Sequence, residues 1–156
     1  MTFELTSPSF QHGEALPTVY TCQGADRSPA LRWNGTPVGT QSLALIVEDP
    51  DVPDPAHPVR TWIHWVLSDL PPETTTLAEG IKAWELPEGT REGTNDWNRK
   101  GYGGPCPPIG RHRYYFRLYA LSAPTGLPSG ASREELARAL EGKVLGRAEL
   151  MGTYQR

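Results

Sequence analysis

Thr61-Trp62-Ile63-His64-Trp65-Val66-Leu67 reads as a β-strand, and the fold class follows from it. The run is apolar at nearly every position, so the strand is expected to be covered on both faces. Alternation places Trp62, His64 and Val66 on one face and Ile63, Trp65 and Leu67 on the other. Two further runs behave alike. Ser42 to Glu48 is almost wholly apolar, and Tyr114 to Leu121 is rich in aromatic residues. If the latter strand starts at His112, then His112, Tyr114, Phe116 and Leu118 share one face, and Arg113, Tyr115, Arg117 and Tyr119 the other.

The rest of the chain agrees with a loop-rich β protein. Gly 16 and Pro 16 are high for 156 residues and act against long helices. One domain over residues 1–156 suits this length. One helix is expected after Ser132-Arg133-Glu134-Glu135, a capping box followed by the stripe Leu136, Ala139 and Leu140. Ala148 to Tyr154 reads as a last strand, and residues 71–104 as mostly loop or short strand.

Several functions are disfavoured at once. A net charge of -3 with no basic stripe gives no footprint for nucleic acid. No run approaches a membrane span, and Met1 to Phe10 does not resemble a secretory signal, so the cytoplasm is the expected location. Two cysteines are too few for a disulfide framework. A Cys22–Cys106 bridge is open, but in a reducing compartment both are expected to be free thiols.

Chemistry concentrates on stiff, proline- and glycine-rich backbone. Asp49 ends a strand beside Pro50, where a carboxylate is either positioned for a ligand or satisfies turn amides. Asp51 fits the plainer turn role. His64 lies mid-strand, where burial would hold it neutral and a backbone carbonyl would satisfy it. His112 follows the loop Gly103 to Gly110, whose few rigid amides, such as those of Gly104 and Cys106, could face an anion. His12 and His57 read as surface residues. Trp84 and Trp97, on the long loop, either form an interface or pin that loop to the core.

The sequence resembles the phosphatidylethanolamine-binding protein family, in its bacterial and archaeal Raf-kinase-inhibitor-like branch. The matching pieces run in order: Ser28-Pro29-Ala30-Leu31-Arg32-Trp33, Asp49-Pro50-Asp51-Val52-Pro53, Trp62-Ile63-His64-Trp65, Gly93-Thr94-Asn95-Asp96-Trp97, Gly101 to Pro108, and His112-Arg113-Tyr114. The resemblance implies a mainly β fold of two packed sheets with one or two short helices. It implies a pocket lined by Asp49, His64, Gly104, Cys106, Pro107, His112 and Tyr114. It also implies a non-enzymatic protein that binds phosphate, phosphoryl head groups or other small anions. Partners implied are a kinase or protease, and a second copy in a homodimer. No cofactor is expected. Two departures stand out. Only Arg111 separates Gly110 from His112, which should alter the pocket rim. No long C-terminal helix follows Tyr154, which should leave the pocket more open. The alternative from the residues themselves is a metal-dependent phosphoester hydrolase using Asp49, His64 and His112, since these are metal-ligand types.

Overall fold

In the computed structural model, which describes residues 2–156, eight strands and one helix follow one another. The strands are β1 (Glu4–Thr6), β2 (Leu31–Asn34), β3 (Ser42–Val52), β4 (Arg60–Leu70), β5 (Thr76–Leu77), β6 (Arg91–Glu92), β7 (His112–Leu121) and β8 (Val144–Tyr154). Helix α1 (Arg133–Leu140) lies between β7 and β8. Two antiparallel sheets form, as expected: β1-β2-β5, and the larger β6-β4-β3-β7-β8.

The three runs recognised from sequence are the three central strands of the larger sheet. Their inner face meets the small sheet. Leu45, Val47, Trp65, Leu67, Phe116 and Leu118 pack there against Leu5, Leu31, Trp33 and Leu77. Their outer face carries a second apolar cluster, in which Ala44, Ile46, Ile63, Val66 and Leu121 receive Leu136 and Leu140 of α1. Double coverage is why β3 and β4 lack polar alternation. The helix starts as its capping box dictates. Ser132 Oγ accepts from the Glu135 amide, and Glu135 Oε1 accepts from the Ser132 amide, both at 3.1 Å. The long stretch after β4 holds only β5, β6 and one short 3₁₀ turn (Ala83–Glu85), and β8 begins four residues before the expected Ala148.

Strict alternation fails twice in β4, once between Leu67 and Leu70 and once at the cavity end. Val47 pairs with Trp65, but its neighbour Glu48 pairs with Ile63, so His64 is an extra residue. This bulge breaks the two-residue period. Trp65 and Leu67 stay on the inner face, while Ile63 and Val66 share the helix side, contrary to the expected split.

The cysteine expectation is also corrected. Cys22 and Cys106 are joined in a disulfide across 84 residues of sequence. The Cys22 amide donates to Pro105 O at 3.1 Å, so the two loops already lie side by side, with Cα atoms 5.4 Å apart. A count of cysteines carries no such proximity. A bridge closing so long a loop constrains the unfolded chain. Replacing both cysteines by serine is expected to lower unfolding free energy by about 2–4 kcal/mol in urea titrations. An unchanged midpoint, or two thiols alkylated in the untreated native protein, would contradict the bridge.

Candidate functional site

The bulge and the end of β7 aim side chains at one end of the sandwich. His64, Asp49 and Tyr114 meet there with Trp62, Val52, Trp97, Cys106, Pro107 and Pro108 around a cavity of about 290 Å³. Four residues expected from sequence besides His64 therefore line it: Asp49, Cys106, Pro107 and Tyr114. Two expected residues do not. Gly104 lies behind the wall, and its amide donates to Asp26 Oδ1 at 2.8 Å, so it is not free for a ligand. His112 is completely buried beneath the cavity floor instead of lining the cavity.

His112 holds the floor in place. Its Nδ1 lies 2.5 Å from Asp49 Oδ2. Its Nε2 faces Ile109 O at 2.8 Å and Pro53 O at 3.1 Å. Carbonyl oxygens only accept, so Nε2 carries an N–H. A second proton then sits in the Nδ1···Oδ2 contact, on one partner or the other, because two bare acceptors would repel. Asp49 Oδ1 accepts the Asp51 amide at 2.7 Å. Burial raises the Asp49 carboxyl above its ordinary range, opposed by the bonds from His112 and the Asp51 amide. The short spacer has a role here. Gly110, at φ +77, turns the chain so that Ile109 caps His112 three residues on.

Asp51 takes more than a turn role. It accepts from the Arg113 amide at 2.9 Å and from Nε and Nη2, one edge of the Arg113 guanidinium, at 2.9 and 2.8 Å. The fork from Arg113 holds the Asp51 carboxyl below its usual range. This pair fastens the end of β3 to the start of β7.

His64 behaves differently. Its Nδ1 donates to Gly103 O at 2.6 Å, and its Nε2 has no partner among the described residues. Burial pushes its pKa down to about 4. Near neutral pH it is therefore uncharged, with an Nε2 lone pair as acceptor at the cavity. Tyr114 stands edge-on to it at 5.3 Å. Burial, then the neighbouring Asp49 carboxylate, raises the Tyr114 hydroxyl, which stays a donor.

Trp97 resolves the two readings open for it: it pins the loop and walls the cavity, edge-on to His64 at 5.1 Å and to Trp62 at 5.6 Å. Only glycine fits at 103, since a Cβ there would lie 2.3 Å from the Trp97 ring. The sequence reading did not name Trp62, Val52 or Trp97 as lining. The alternation that put Trp62 on the face of His64 was the available signal. Trp84, 83% exposed, takes no part.

Charge is sparse inside. Among the described residues no lysine or arginine lines the cavity. Arg60 lies over Trp62 at 4.6 Å, and Arg156 Nε donates to Pro107 O at 2.9 Å. Nor do Asp49, His64 and His112 form a ligand set. Both His112 nitrogens and His64 Nδ1 are taken by oxygen partners, and no cluster of three or more His, Cys, Asp or Glu side chains among the described residues is placed to hold a metal ion.

Comparison with known proteins identifies the family and agrees with the fold. Residues 6–155 match the family model described as "Phosphatidylethanolamine-binding protein". A UPF0098 protein of Methanothermobacter thermautotrophicus is 46% identical over 153 residues, covering 97% of this chain and 98% of that protein. Among solved structures, the phosphatidylethanolamine-binding protein homolog CT736 from Chlamydia trachomatis superposes with a TM-score of 0.90 at 41% identity, covering 99% of this chain and 98% of that one. YbcL of E. coli, described as a member of the mammalian PEBP family, also gives a TM-score of 0.90, at 32% identity, covering 100% and 99%. The chain belongs to the phosphatidylethanolamine-binding protein family.

Proposed function

We propose that this chain is a non-enzymatic binding protein whose cavity takes a small oxyanion, a phosphate or phosphoryl head group, in a protonated form. The observation that carries this reading is the convergence of a donor, Tyr114 O–H, an acceptor, His64 Nε2, and the proton-sharing Asp49–His112 pair on one cavity without a cationic side chain. A dianion would meet the Asp49 carboxyl and an uncharged imidazole. A singly protonated phosphate can instead donate its P–O–H to His64 Nε2 and accept from Tyr114. The positive charge that a dianion would require is thus replaced by a proton that the ligand brings. Arg60 at the rim lies over Trp62 and is paired with Asp96 at 3.3 Å, so it adds no free cation to the cavity. With few charge-assisted bonds, affinity near about 1 mM is expected for a bare anion.

The proton linkage sets the sign of the pH dependence. A phosphate monoester loses its second proton near pH ~6, so the fitting form gains as pH falls. Phosphoethanolamine and inorganic phosphate should therefore bind more tightly at about pH 5.5 than at about pH 8, by roughly tenfold or more. NMR titration following Tyr114 and the His64 ring measures this. Equal affinity at both values, or no shift at either, would refute the proposal. Tyr114→Phe, which keeps the ring but removes the donor, should weaken binding about 5- to 10-fold at the lower pH.

His64 also links the empty protein's stability to pH. Its folded value, about 4, lies below its ordinary 6.5. The unfolded chain takes up that proton first, so the contribution is full above about pH 6.5 and is lost as pH falls towards 4, up to about 3 kcal/mol. Urea titrations of wild type and His64→Leu should converge over that window. Parallel curves would mean that the His64 pKa is the same in the folded and unfolded chain.

A further inference from the structure

The geometry points to a second anion site, on the outer face of the five-stranded sheet, built for a phosphomonoester dianion. It is a cavity of about 620 Å³ bounded by Glu48, Arg117, Tyr119, Arg133, Arg147 and Glu149. It lies on the side of the sheet opposite the small sheet, separate from the Asp49–His64–Tyr114 cavity and sharing no residue with it.

The sheet register assembles it. Arg117 stands opposite Glu149 and Tyr119 opposite Arg147 along β7 and β8, so the four side chains form two adjacent cross-strand pairs. Glu48 of β3, 2% exposed, lies at the floor. The carboxylates are already occupied. Arg117 Nη1 donates to Glu48 Oε1 at 2.6 Å, and Arg117 Nε to Glu149 Oε1 at 3.1 Å.

The other two arginines bring donors that the carboxylates do not take up. Arg133 Nη2 stays 3.7 Å from Glu48 Oε2, beyond hydrogen-bond length. Arg133 Nε is buried with no acceptor among the described residues. A buried, unpaired guanidinium N–H is costly and uncommon. Arg147 is exposed, and its side chain makes no hydrogen bond or ion pair among the described residues. Three guanidinium groups thus face two carboxylates, with two of the three not saturated.

Arginine offers donors in a planar fork and no acceptor. The complement is an acceptor-rich group with two negative charges on one centre, which a phosphate monoester provides and a carboxylate does not. The cavity is roomier than the first, leaving space for the group that bears the phosphate. That bearer is either a free metabolite or a phosphorylated side chain. The preference is opposite to the first cavity's. This site takes the dianion, and its affinity holds or grows as pH rises to about 8, while screening by salt weakens it.

Amide NMR titration of the whole chain at about pH 8 with inorganic phosphate, and separately with an O-phosphoserine peptide, tests the inference. Amides of residues 117, 119, 133, 147 and 149 should shift together, on a curve distinct from those of Tyr114 and Cys106. Arg147→Gln, at an exposed position, should weaken that curve at least about tenfold and leave the Tyr114 curve unchanged. Arg147→Lys, which keeps the charge without the fork, should fall between. Saturation by phosphate alone would mark a free anion as the ligand source, and tighter binding of the peptide a phosphorylated protein. No shift of the outer set with either probe, up to about 50 mM, overturns the site, as does Arg147→Gln binding like wild type. Movement of the Tyr114 set alone would overturn this inference and leave the first reading standing, while movement of the outer set with loss of the Tyr114 curve at about pH 5.5 as well would do the reverse.

Discussion

The contact between His112 and Asp49 is the constraint on which the cavity depends. It sits where the ends of β3 and β7 come together, with no solvent access to the imidazole. In so dry a setting an unpaired ion or an unmet ring nitrogen would cost several kcal/mol, so both ring nitrogens must be served. They are, by a carboxylate on one side and the carbonyls of Ile109 and Pro53 on the other. Meeting that demand fixes the rim loop, the carboxylate and the strand end relative to one another. The Asp51–Arg113 fork beside it repeats the same join nearer the surface.

The second device is the extra residue in β4. A regular strand cannot show its core two successive side chains. The bulge at His64 does so, sending Trp65 into the apolar interior and His64 to the cavity wall. His64 is held by Gly103 O and by the ring of Trp97. The loop from Trp97 to Pro108 is held in turn by the disulfide and by Tyr102, whose hydroxyl donates to Tyr20 O at 2.9 Å. Loop, strand and bridge thus form one rigid wall, which reduces the ordering cost of binding.

Charge is divided between the two faces of the large sheet. The inner face carries one acid–imidazole pair and a neutral imidazole. The outer face carries the arginines of β7, β8 and α1. Alternation along β7 makes that division, since odd and even positions of His112-Arg113-Tyr114-Tyr115-Phe116-Arg117 point opposite ways.

The amino-acid sequence by itself determined the three central strands of the large sheet and most of β8, the two faces of β7, the capped helix, and the family to which Asp49, His64, Cys106, Pro107 and Tyr114 belong. Those features are local, or are carried by motifs in a fixed order. What only the tertiary structure decided was pairing. It put His112 under the cavity instead of in it, gave the Gly104 amide to Asp26, brought Trp97 into the wall and joined Cys22 to Cys106. Each of these depends on which distant segment lies within a few ångströms. Hydrogen bonds, ring contacts and disulfides act only at that range, whereas periodicity records no more than which way a side chain faces.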